Sequence, residues 1–267
     1  MVIHAGGRGP GHMARLQGGF SPLSLFAAGE QGFWYDPSDL STVWQDSART
    51  TPGAVGQPVG CIDDKSGRGN NATQSTAGSR PILRQSGSLF YLEFDGSDDG
   101  LVTGTITPGV DEMQIIAGVR KSSDAARGMI AEHSATAATA GTFLLEGPSF
   151  AAGADFRYAS GGSIGFSGVV QATGNAAPIT KVVTGLGDIS ADSSIIRVNG
   201  TQAASSAADQ GTGNYTAQVT YIGRRAGASF PLNGNIYAMI CRFGSNLSAG
   251  QLAQAEAWVA SRTGVTF

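Results

Sequence analysis

The chain has 267 residues, a net charge of −3 and only 14% charged residues, with no run of basic side chains. That length suits one large domain with ample chain for a core, and the charge argues against a nucleic-acid partner. No apolar run approaches the ~20 residues of a membrane-spanning helix, and the opening MVIHAGGRGPGHM lacks the apolar stretch of a secretory signal.

Glycine contributes 40 residues, about twice its usual ~7% share. There is no triplet period, which excludes collagen and leaves tight turns between short strands. Residues 1–30 read as an N-terminal arm and 31–267 as the globular domain. The arm is Gly-rich and has neither helical nor strand periodicity. Arg8, Arg15, Leu16 and Phe20 give it side chains with which to dock on a neighbouring protein.

Phe33, Trp34 and Tyr35 cluster three aromatics ahead of a turn at Asp36-Pro37 and of Trp44. Polar loops follow over 46–56 and 63–79, and 81–84 is a short strand. The stretch 89–94 alternates with bulky residues on both faces, as a strand buried between layers does. It stops at the turn Asp95-Gly96, and Asp98-Asp99-Gly100 leads into a return strand over 101–103. Further strands are expected over 113–119, 128–131, 143–146, 155–158, 181–184, 195–198, 217–222 and 236–243. The strand 195–198 ends in Asn199-Gly200, a type I′ hairpin signal. One helix comes last: Ser248 and Gln251 form a capping box, Leu252, Ala255 and Val259 share a face, and Gly264 is placed to stop it. About a dozen short strands separated by turn signals make a sandwich, not a set of βαβ units.

Four stretches, in order, resemble laminin-G-like, concanavalin A-type jelly rolls: the loop DDKSGRGNN at 63–71, FDGSDDGLVT at 94–103, the hairpin IIRVNG at 195–200, and GNIY at 234–237 with the segment through Leu247-Ser248 and its helix. The resemblance covers roughly 33–267 and implies an all-β jelly-roll sandwich with one C-terminal α-helix. The stretch 25–47 further resembles domains of tailed-bacteriophage virion proteins. That likeness implies a structural virion protein, held to other virion proteins by its arm, assembled as a homotrimer, and presenting a lectin-like sandwich to host glycan. No cofactor is required on this reading.

Three kinds of site are open to such a chain. A glycan rim needs an aromatic face beside convergent polar groups; Trp34, Tyr35, Trp44, Asp98 and Asp99 are the candidates, although aromatics in a first strand are more often core. Calcium, which some laminin-G-like domains hold at the rim, would draw on Asp64, Asn70, Asp95 and Asp98, hard oxygen donors that are equally ordinary turn residues. A retaining glucanase needs two carboxylates ~5–5.5 Å apart. Glu93 and Asp95 share a strand face, but no second Glu follows in the glucanase pattern, so no catalytic residue is assigned. Cys61 and Cys241 are expected as buried free thiols, because a protein made in a reducing cytosol keeps them so.

Overall fold

The computed structural model describes residues 19–134 and 139–267. Its strands form the expected all-β jelly-roll sandwich of two antiparallel sheets. The first sheet runs Thr201–Ser206, Ser193–Val198, Ile179–Asp188, Glu112–Lys121, Asn233–Phe243, Leu89–Asp95, Ile82–Ser86. Gln31–Tyr35 pairs with the second half of Asn233–Phe243, beyond the part paired with Leu89–Asp95. The second sheet runs Gly168–Thr173, Asp155–Gly161, Thr142–Glu146, Met129–His133, Thr220–Ile222, Leu101–Thr103, Ala72–Thr73, Cys61–Ile62, Val43–Trp44.

Period-two alternation sorts the side chains of each strand between the core and an outer face. In Thr142–Glu146, Phe143 and Leu145 join the core between the sheets, while Leu144 belongs to a separate cluster with Met129 and Ala159. His133 sits in that inter-sheet core, with its ring 4.8 Å from Phe243 and 5.7 Å from Phe143. Its Nε2 lies 3.0 Å from the carbonyl of Thr216, so Nε2 carries the proton and Nδ1 accepts from the Thr220 hydroxyl at 2.9 Å. Burial pushes its pKa down to about 4. Cys61 and Cys241 are buried and unbonded.

The C-terminal helix, Ala249–Thr263, has the full Ser248–Gln251 capping box and ends at Gly264 with φ 72°. Leu252, Ala255, Val259 and Ala260 pack against Ile116, Val182, Ile240 and Trp34 on the outer face of the first sheet. The approach is close because Gly118 lies beneath the helix: a Cβ there would sit 2.5 Å from Thr263 Cγ2. Glu256, on the buried side, accepts Thr184 Oγ1 at 2.9 Å and Arg197 Nε at 2.8 Å on Oε1, and Arg197 Nη2 at 3.0 Å on Oε2.

The segment before the first strand also packs on this face. Pro22–Phe26 forms a 3-10 turn with Leu25 and Phe26 buried, and Phe20 packs against the same cluster. Phe20, partly buried, thus rests against its own globule. Arg8, Arg15 and Leu16 lie outside the described residues.

Candidate functional site

Among the described residues, no α-helix lies over the outer face of the second sheet. Glu132 and Glu146 point out of it from neighbouring strands, each flanked along its strand by residues that point into the core. Register places them diagonally, with Glu132 opposite Leu144 and Glu146 opposite Met129 and Arg157. Both carboxylates are fully buried. Glu146 lies between two guanidinium groups, with Arg127 Nε 2.5 Å from Oε1 and Arg157 Nε 2.5 Å from Oε2, the latter off a hydrogen-bonding line. Glu132 Oε2 accepts from Arg225 Nε at 2.6 Å, and its Oε1 has no partner among the described residues.

Burial pushes both carboxyls above their usual range, against the arginines, which pull them down. Removing a carboxylate from water is costly enough that a partner at contact distance offsets only part of it. The guanidinium groups are stacked as well as paired. Arg127 and Arg225 lie 4.2 and 4.9 Å from the ring centre of Phe230, and Arg157 lies 5.6 Å from Phe150. Around this cluster the face mixes apolar and polar side chains, with Gln171 directly opposite Arg157. Phe150 is 57% exposed, Ile164 57% and Val169 41%, with Val169 directly opposite Ala159. The segment carrying Ile164 folds back closely: a Cβ on Gly161 would overlap the carbonyl of Gly165.

The Asp95–Asp99 turn adjoins through consecutive arginines, since Arg224 Nη1 donates to the Asp98 carbonyl at 2.6 Å while Arg225 holds Glu132. The carboxylates of Asp95, Asp98 and Asp99 converge within 4.8 Å. Burial, with the charges of Asp95 and Asp98, pushes Asp99 up to about 6, although it accepts the backbone N–H of Asp95.

The residues expected at a glycan rim separate. Trp34 and Tyr35 are buried, as aromatics of a first strand commonly are. Trp34 meets Trp258 edge-on under the helix, and Tyr35 stacks on Phe33 in the inter-sheet core, so neither ring can meet a sugar. Trp44 is half-buried at the far edge of the second sheet, its Nε1 donating to Asp63 at 2.8 Å. Asp98 and Asp99 remain together in their turn.

The expected calcium donors also separate. Asp64 is spent on its own loop and the first strand, accepting from the backbone of Trp34, Ser66 and Asn70 and from the Ser66 hydroxyl. Asn70 bridges to Gly32 and Tyr35. Only Asp95 and Asp98 of that set meet, joined by Asp99. Three carboxylates supply part of the six to eight oxygens that calcium takes. Glu93 forms a surface pair with Arg84.

Glu132, Glu146 and the three arginines do not stand out in the sequence. Glu132, Glu146 and Arg157 are each a lone charge inside an apolar strand, which a half-solvated strand also shows, and Arg127 and Arg225 stand in loops.

No family model and no curated protein matches the sequence. Solved structures do match in fold. The binding domain of botulinum neurotoxin serotype G superposes with a TM-score of 0.56 at 12% identity, over 75% of this chain and 49% of that one. A Trypanosoma rangeli sialidase gives 0.55 at 13%, over 88% and 33%. An arabinofuranosidase, solved with arabinofuranosyl-α-1,2-xylobiose, gives 0.55 at 15%, over 90% and 65%. The chain thus spans between a third and two thirds of these neighbours. They include both a receptor-binding domain and glycoside-cleaving enzymes, and what they have in common with this chain is the sandwich.

Proposed function

We propose that this chain is a non-enzymatic recognition module of a bacteriophage virion, in a capsid decoration, head fibre or tail tip, that binds host-surface glycan through the open face of its second sheet. The observation that carries the binding role is that face itself: exposed Phe150 and Val169 beside partly exposed arginines. An aromatic face beside planar polar groups is what a sugar ring needs, since its C–H side lies on the ring while its hydroxyls reach the polar groups. The phage setting rests on the resemblance at 25–47, and with it the homotrimer and the attachment to other virion proteins.

A glycan array probed with the purified protein tests the binding role. Binding is expected, weakened by Phe150→Ala and unchanged by Glu93→Gln. Silence across bacterial, plant and animal glycans would leave a purely structural role. Cryo-EM of the particle tests the setting, because the reading requires density for this chain on head or tail.

Glycan cleavage is the second reading, favoured by two outward carboxyls whose pKa values are raised. A general acid must reach the glycosidic oxygen, and here both carboxyls are sealed beneath arginines. New reducing ends from a host polysaccharide, abolished by Glu132→Gln or Glu146→Gln, would establish cleavage.

A further inference from the structure

We infer that the ligand of this face is an acidic glycan, one whose sugars carry a carboxylate or a sulfate ester; the inference rests on the binding role proposed above. In the Glu–Arg cluster the negative ends are inside and the positive ends outside. Glu132 and Glu146 are fully buried, whereas the side chains of Arg127, Arg157 and Arg225 stay 21%, 15% and 13% exposed. Arg157 and Arg225 each face their glutamate through Nε. Their terminal nitrogens make no hydrogen bond to any described residue and are not sealed from solvent. The one other acid in line with them, Asp155, is turned into its own loop, accepting the Ser149 hydroxyl at 2.5 Å.

Arg225, whose Nε donates to Glu132, and Arg157, whose guanidinium is in ion contact with Glu146 and stacked on Phe150, cannot swing freely. The outward edge of each is a fixed fork of N–H donors, the geometry that takes a carboxylate or sulfate through two parallel hydrogen bonds. Such a bond in a partly desolvated site is stronger than one to a neutral hydroxyl. Phe150, stacked against Arg157, extends the fork with a ring face, so one sugar can lie on the ring and direct its acid group to the arginines.

The test uses the full chain and calorimetric titration with oligogalacturonate, its methyl ester, and a sulfated and a desulfated chondroitin oligosaccharide. The acids are expected to bind at least tenfold more tightly than their neutral counterparts, with affinity falling steeply between 50 and 500 mM NaCl. Arg157→Lys keeps the charge on Glu146 and loses the fork; a fall of about tenfold is expected. Phe150→Ala, at an exposed position, should weaken binding severalfold without loss of fold. Equal binding of acid and ester would overturn the inference and leave glycan recognition standing. If the acids bind no better than a glutamate-rich peptide, the glycan class is overturned. Binding of nothing here or on the array would sink the recognition role itself. The two acid series separate carboxylate from sulfate.

Discussion

The two outer faces of the sandwich each bury glutamate against arginine, and they do it differently. Under the helix, both oxygens of Glu256 are satisfied, by Thr184 and a two-point grip from Arg197. On the open face, Glu132 and Glu146 each retain an oxygen without a hydrogen bond among the described residues. The first arrangement is closed and serves to fasten a helix to a sheet. The second is incomplete, with its donors facing out. Burial of a charge therefore does not by itself mark function; what matters is whether its hydrogen bonds are used up by the fold.

The largest expected effect lies on the closed face. Glu256→Ala strands Arg197 and should cost about 3–5 kcal/mol of unfolding free energy in urea. Glu132→Gln keeps an acceptor for Arg225, so a smaller loss is expected, and a loss as large as that of Glu256→Ala would erase the contrast between the faces.

Acid titration comes next, and His133 must be separated from the open face before any slope is assigned. Its folded pKa, about 4, lies below the ordinary 6.5, so its contribution is present above 6.5 and is lost as pH falls toward 4, a change of about 3 kcal/mol. Glu132 and Glu146 act with the opposite sign. Their raised pKa values favour the protonated folded state, so their contribution is present at low pH and lost as pH rises. His133→Gln should remove the acid loss and expose the carboxylate slope in denaturation curves between pH 7 and 4.

Gly118→Val would push into Thr263 and Val259, lifting the helix at about 1–3 kcal/mol. No matching effect is expected on ligand binding by the open face, measured by the same titrations.

Asp99→Asn should raise the melting temperature at pH 7.5, by an amount equivalent to about 1–2 kcal/mol. The folded carboxyl titrates near 6, so its stabilising protonated form is lost as pH rises through 6, and the gain from the amide should vanish below pH 4. A calcium ion among Asp95, Asp98 and Asp99 would reverse the sign, making Asp99→Asn destabilising in calcium and neutral in EGTA. Smallest is Phe150→Ala, expected within about 0.5 kcal/mol of wild type because its ring is exposed.

Much of the fold was legible because its signals are local. The strand Leu89–Asp95, the Ser248–Gln251 box and the Asn199-Gly200 turn, with φ values of 48° and 74°, are set by residues a few positions apart. Thr201–Ser206 is the return strand that the Asn199-Gly200 hairpin signal calls for, without a signal of its own. Its sequence TQAASS has no apolar period, and it is a strand because Ser193–Val198 pairs with it. The expected strand over 181–184 is longer, Ile179–Asp188, because it is paired on both sides.

The site was largely illegible for the same reason. Glu146 alternates as a solvated strand residue would. It is buried because Arg127 and Arg157 arrive from other segments and the loops carrying Phe150 and Phe230 bring their rings against those arginines. Trp34, conversely, was a reasonable aromatic for a rim until the helix, more than 200 positions later, closed over it.

The placing of the tryptophans decides what intrinsic fluorescence can report. Of the three in the chain, Trp34 and Trp258 meet edge to face under the helix, and Trp44 stands at the edge of the second sheet remote from Gly168–Thr173. None lies among the arginines of the open face. Undocking of the helix would wet two indoles and shift emission to the red, while a ligand filling the open face would leave the spectrum unchanged. A glycan that quenches tryptophan would therefore be binding somewhere else.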